Sequence, residues 1–128
     1  MAGLSAATEV LVLNTILTGV FVSLHTADPG DSGASEVSGG SYVRQSVAFA
    51  NAGSNPTIAS NNALVQFPAA TAAWGMITHF GLWTAATAGS YRGAWPVAIP
   101  KIIDIEDVAR WNVGALKVST DDIVVVSG

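Results

Sequence analysis

Two histidines, His25 and His79, head a thin catalytic inventory in a chain of 128 residues that has no cysteine. Thiolate chemistry, disulfides and cysteine-ligated metals are therefore closed to it. Ser23 precedes His25 by two residues, a spacing that puts both side chains on one face of a strand. Asp28, three residues further on, is the candidate to orient the imidazole. No serine has the Gly-X-Ser-X-Gly surroundings of a nucleophile elbow, so a Ser/His hydrolase has little else to stand on. The expected role of His25 is to close its strand and satisfy backbone groups of the loop that follows. His79, between Thr78 and Phe80, is expected to be a hydrogen-bonded structural histidine. No catalytic residue is assigned.

A metal site would have to draw on His25, Asp28, Asp31 and Glu36. Carboxylates on a Gly-rich loop suit calcium in general. Here the alternating acidic positions and the distant bidentate acid of a dedicated calcium loop are missing, so no metal is expected. Gly39-Gly40 before Ser41 is too short for a phosphate cradle, and no Lys-Ser/Thr follows it, so no cofactor is expected either. Trp74, Trp83, Trp95 and Trp111 are of a type that stacks sugars or bases, or that fills cores and interfaces. Five basic residues against nine acidic ones, a net charge of −4, provide no electrostatic footprint for nucleic acid. A sugar platform stays open; core and interface burial is the expected use.

Composition points the same way. Half the residues are apolar and 11% are charged, against a usual ~25%. A solitary soluble monomer carries more charge than this, so part of the surface is expected to be covered by partners. The apolar stretch 10–24 contains Asn14, Thr15, Thr18 and Gly19 and is shorter than the ~20 residues that span a bilayer. The first basic residue is Arg44, so the positive start of a secretory signal is missing. Neither a signal peptide nor a membrane partner is expected.

The elements that must position these residues are mostly strands. A helix is expected over about 5–17, with Ser5 as N-cap, Glu9 near the positive end of the dipole and Gly19 as the stop. Strands follow from Val20. Val20–His25 is the first, ended by Asp28-Pro29-Gly30, a strong turn signal. A loop runs to Ser41. Further strands are expected at 42–50, 63–67, 74–84 and 91–99, then short ones at 108–111, 115–118 and 123–126, with 51–61 as a loop. Pro96 and Pro100 place the 91–99 strand at an edge or a bend. The 74–84 strand carries large side chains on both parities. It is therefore expected to be central and covered on two sides, or covered by a neighbouring chain. The expected fold is one all-β domain over residues 1–128, a β-sandwich or small jelly-roll-like barrel with one short N-terminal α-helix.

Four blocks carry a further signal: residues 24–30 (LHTADPG), 36–45 (EVSGGSYVRQ), 67–75 (FPAATAAWG) and 78–83 (THFGLW). Together they resemble a family of small tailed-bacteriophage structural proteins, described as tail-fibre-like or minor virion proteins. The resemblance runs from the N-terminal helix to about Val118. It departs at Pro96–Asp107 and ends before Thr120–Gly128. It implies a non-enzymatic virion protein, made in the host cytoplasm and placed on the particle surface. The chain has no repeats, heptads or shaft sequence, so the favoured position is head decoration: a minor capsid protein that binds and stabilises the shell of the major capsid protein. A tail-fibre, baseplate or tail-tip subunit involved in host attachment is the alternative. Low charge and the two-faced strand add the expectation of a homo-oligomer, with a trimer favoured.

Overall fold

The computed structural model describes residues 5–50 and 58–119. The protein is mostly antiparallel β-structure with one short helix, and no closed barrel forms among the described residues. The chain gathers into two compact units. The larger is built from 19–47 and 65–110; the smaller takes the remainder.

In the smaller unit, α1 spans Ala6–Ile16. Ser5 caps it, its Oγ accepting the Thr8 N–H at 3.2 Å, which satisfies one of the orphan donors of the first turn. Gly19 follows the last turn at φ +67°, a conformation that costs glycine nothing. Leu13 and Leu17, one turn apart, are buried, while Leu11 faces outward. The unit also holds β3 (Ile58–Ser60), paired antiparallel with β8 (Lys117–Ser119) so that Ala59 and Val118, both buried, lie opposite each other. The turn before β8 is organised by Asn61, which is almost fully buried. Its Oδ1 accepts the Leu116 N–H at 2.9 Å, and its Nδ2 donates to Ala63 O at 2.8 Å and Asn112 O at 3.0 Å. A strand therefore lies inside the stretch read from sequence as a loop. Its β-propensity is low, and it forms because β8 supplies a ladder.

The larger unit is a four-stranded antiparallel sheet in the order β2-β1-β5-β6. β1 is Val20–His25, β2 Gln45–Val47, β5 Gly75–Trp83 and β6 Tyr91–Ile103. Two short strands, β4 (Val65–Gln66) and β7 (Arg110–Trp111), complete the element list. β2 is shorter than the expected 42–50 strand, because Tyr42 and Arg44 are drawn into other contacts described below. The last expected strand, 123–126, falls outside the described residues. β5 is central, between β1 and β6, as its apolar residues required. Its register against β6 slips between Ile77 and His79, where the single residue Thr78 opposes the four residues from Val97 to Pro100. Such a bulge re-aims the side chains that follow it. Before it, Ile77 is buried and Met76 exposed; after it, Phe80 and Leu82 are buried. Gly81 between them is buried as well, and Ser23 opposite it is fully buried, so this half of β5 is covered on both faces, which is why both parities of the sequence are apolar.

β6 is an edge strand and carries Pro96 and Pro100, as expected of prolines that cannot donate to a ladder. It nevertheless runs to Ile103, because Lys101, Ile102 and Ile103 pair with Ile77, Met76 and Gly75 beyond the bulge. The core joins Val22, Leu24, Phe80 and Leu82 across β1 and β5. A second aromatic group, Tyr42, Phe67 and Trp74, has ring centroids 5.5–6.3 Å apart. Among the described residues no helix is long and apolar enough to cross a membrane.

Candidate functional site

The polar residues singled out by sequence meet on one face of β1 and β5. The register sets Phe21 opposite Trp83, Ser23 opposite Gly81 and His25 opposite His79. Side chains paired across an antiparallel ladder share a face, so Ser23, His25 and Trp83 converge. Gly81 leaves the room: a Cβ there would stand 2.7 Å from Ser23 Oγ and 2.8 Å from His25 Nε2.

The hydrogen bonds define one proton arrangement. His25 Nδ1 is 2.7 Å from Ala34 O, a carbonyl that accepts only, so Nδ1 carries the proton. In the neutral ring Nε2 is then an acceptor, and Ser23 Oγ–H donates to it over 2.7 Å. Ser23 Oγ accepts in turn from Trp83 Nε1–H at 2.9 Å. The chain Trp83 → Ser23 → His25 → Ala34 is complete, with every N–H and O–H donor used. Ser23 and His25 do form the bond of a nucleophile–base pair, yet both are 0% exposed. The group that orients the imidazole is the Ala34 carbonyl and not Asp28. Asp28 Oδ1 accepts the Gly30 N–H at 2.9 Å and so shapes the Asp28-Pro29-Gly30 turn. His25 closes β1 against the returning loop, as expected, through its bridge to Glu36.

A second cluster covers this face. Arg44 and Glu36 form a bidentate pair, with Nε to Oε2 and Nη2 to Oε1 both at 2.9 Å. Arg44 Nη1 also donates to Ala85 O at 3.1 Å and Ala88 O at 2.9 Å, tying the β5–β6 turn to the loop before β2. The guanidinium lies 3.8 Å above the centre of the Trp83 ring, a cation–π placement. Tyr42 Oη donates to Glu36 Oε2 at 2.7 Å and accepts the Leu24 N–H at 3.1 Å. Arg44 and Glu36 are 9% and 21% exposed in their side chains. Glu36, Tyr42 and Arg44 all lie in the 36–45 block, where residue types and spacing alone point to no role for them. The available signal was an isolated arginine, the first basic residue of the chain, eight positions after a glutamate across a Gly-Gly turn.

Burial holds the His25 imidazole below its usual pKa of 6.5; Ala34 O and Glu36 oppose this, and His79 and Arg44 add to it. Burial also works against the Glu36 carboxylate, but the bonds from Arg44 and Tyr42 outweigh it and leave Glu36 below 4.5. Burial and the Glu36 bond push the Tyr42 hydroxyl well above its ordinary range. Both acid-side shifts act in one direction. Below pH 6.5 the unfolded chain takes up a proton at His25 that the folded chain refuses, and below pH 4.5 the same holds at Glu36. Stability is therefore expected to be constant above about pH 7 and to fall as pH drops, first below 6.5 and again below 4.5. Urea midpoints measured across pH check this. The variant His25→Asn, which keeps a donor near Nδ1, is expected to lose the first step.

The remaining candidates have defined places. His79 Nδ1 lies 2.9 Å from Thr78 Oγ1, a structural contact as expected. Trp74 is buried, Trp95 stacks on Phe80 at 5.9 Å, and Trp83 lies between Arg44 and Tyr91. His25, Asp28, Asp31 and Glu36 are not gathered into a metal site: His25 and Glu36 spend their donors and acceptors inside the chain, and no group of three or more metal-type ligands exists among the described residues.

What remains is a stapled loop–sheet framework, and the comparison with known families fits it. The family model described as Podophage GP4 fiber I protein gp80 matches residues 5–119. The chain belongs to this family. It is therefore a bacteriophage virion protein of fibre type; the sequence resemblance implied a phage particle protein without fixing its place on the particle. The match runs through Pro96–Asp107, the segment where the resemblance appeared to depart, and stops where the sequence resemblance stopped. It backs the tail-fibre alternative over the favoured head-decoration position. No curated protein matches the chain.

Proposed function

We propose that this chain is a structural subunit of the tail-fibre apparatus of a podophage, serving host attachment by assembling with other virion proteins and converting no substrate. The observation that carries this reading is the family match over residues 5–119. The site geometry agrees with it: Ser23 and His25, weighed from sequence as a nucleophile–base candidate and given no catalytic role, are sealed from solvent, and their hydrogen bonds bind a loop to a sheet. Neither nucleic acid nor membrane is a partner in this reading, given a net charge of −4.

Gold labelling of a tagged chain in intact particles tests the proposal. Label on the fibres supports it; label spread over the head shell overturns it in favour of decoration. Particles that lack the chain are expected to keep normal heads and to lose adsorption to the host.

A further inference from the structure

The buried relay on β1 and β5 suits one charge state of His25. Nδ1–H donates to Ala34 O whether or not the ring is charged. Nε2 accepts from Ser23 Oγ in the neutral ring and carries a proton in the charged one. The Ser23 hydroxyl proton then needs another acceptor, yet the two groups facing it, the Trp83 indole N–H and the charged ring, both donate. Water would accept it, but Ser23 and His25 are both fully buried. Burial opposes a charge on the ring most strongly. His79, opposite it on β5, and Arg44, just before β2, oppose it too, while Ala34 O and Glu36, the latter bonded to Tyr42, favour it.

The cover over the relay is thin. Ala34 and Ser35 are exposed although the Ala34 carbonyl touches the imidazole, and Gly33 beside them is buried against the Trp83 and Tyr91 rings. Thr26 N–H donates to Ser35 O at 3.1 Å and Ala34 N–H to Pro29 O at 3.2 Å, closing residues 26–35 on themselves. Side-chain bonds from His25 to Ala34 O and from Tyr91 Oη to Gly30 O tie this segment to the sheet. Ser35, at its far end, is held at φ +63°, a conformation unfavourable for a residue with a side chain. The chain beyond is fastened separately: Val37 N–H donates to Leu24 O, Tyr42 Oη accepts the Leu24 N–H, and Arg44 grips Glu36.

We infer that residues 26–35 are an acid-released flap: protonation of His25 lifts them off Ser23 and Trp83 while the sheet and the Arg44–Glu36 clamp stay in place. Lifting hydrates the ring and restores its ordinary pKa of 6.5, whereas the closed ring stays below it. The open form thus binds a proton that the closed form refuses, and falling pH favours opening. Glu36 titrates below 4.5, so the clamp outlasts the flap. This local opening is distinct from the loss of overall stability, and it holds whether or not the chain is a fibre subunit.

Hydrogen exchange of the Trp83 indole N–H, followed by NMR on the full chain and corrected for the intrinsic rate at each pH, tests it. Between about pH 8 and about pH 5 the opening equilibrium is expected to rise roughly tenfold, within the ~30-fold ceiling for a proton bound only by the open form at an ordinary pKa of 6.5. Amides of the β1–β5 ladder, which exchange through global unfolding, are expected to stay at least about tenfold better protected than that indole throughout. In His25→Asn the indole is expected to exchange independently of pH over this range. A wild-type indole whose protection does not change with pH, or one as well protected as the ladder, overturns the inference, and both readings stand even where the variant does not fold. A folded His25→Asn variant that keeps the pH dependence overturns it as well.

Discussion

Replacing Arg44 by alanine is expected to lower stability by about 3 kcal/mol, equivalent to roughly 10 °C in Tm for a chain of this size. The loss has several sources. Glu36 keeps a charge in a site it shares with Tyr42 and His25 but loses both guanidinium bonds. Breaking a buried pair costs about 3–5 kcal/mol because the charge left behind is uncompensated. The one-fifth exposure of Glu36 places the expectation at the lower end of that range. The carbonyls of Ala85 and Ala88 lose a common donor, and Trp83 loses the cation stacked on its face. Arg44→Lys is expected to recover little, since an ammonium group cannot form the two parallel bonds while lying flat on an indole. Thermal unfolding followed by tryptophan fluorescence measures all three proteins. An Arg44→Ala variant within about 0.5 kcal/mol of the wild type would show that the cluster does not hold the loop.

Gly33→Ala is expected to cost about 3–4 kcal/mol, while Gly30→Ala in the same loop costs about 1. Both glycines have positive φ, +75° and +60°. A side chain at either meets the same conformational penalty of roughly 1–2 kcal/mol. The surroundings differ. A Cβ on Gly30 meets nothing within 4 Å. One on Gly33 would stand 2.5 Å from Trp83 Cζ2, 2.7 Å from Cη2 and 3.2 Å from Tyr91 Cδ1. Trp83 has little freedom to retreat, because its Nε1 is bonded to Ser23 and Arg44 covers its ring. The difference between the two variants, measured by urea denaturation, isolates the steric term. Equal losses would mean that Trp83 gives way, and the rigid framework described above would be wrong.

Both predictions concern the loop between β1 and β2, whose ends the sequence marks and whose packing it hides. Asp28-Pro29-Gly30 is legible as a turn, and the Asp28 carboxylate bonds the backbone two residues ahead as that signal implies. The closeness of Ser23 and His25 is legible too, from a spacing of two in a strand. What they bond to is not. Ala34 O and Trp83 Nε1 reach them from nine and sixty residues away. No local pattern encodes the exclusion of solvent that separates a structural Ser–His bond from a reactive one.

By itself the sequence determined the features whose causes lie within a few residues: the helix from its Ser5 cap to Gly19, the bounds of β1, the proline-marked edge strand, and the likeness to phage virion proteins. Tertiary structure alone decided that a bulge interrupts the β5–β6 ladder opposite Thr78, that β3 forms inside an Asn-rich stretch because β8 pairs with it, and that Glu36, Arg44 and Trp83 stack into one clamp. The physical reason is range. Caps, turns and strand periodicity are set by neighbours along the backbone, whereas register, burial and ion pairing depend on which distant segment comes to lie alongside.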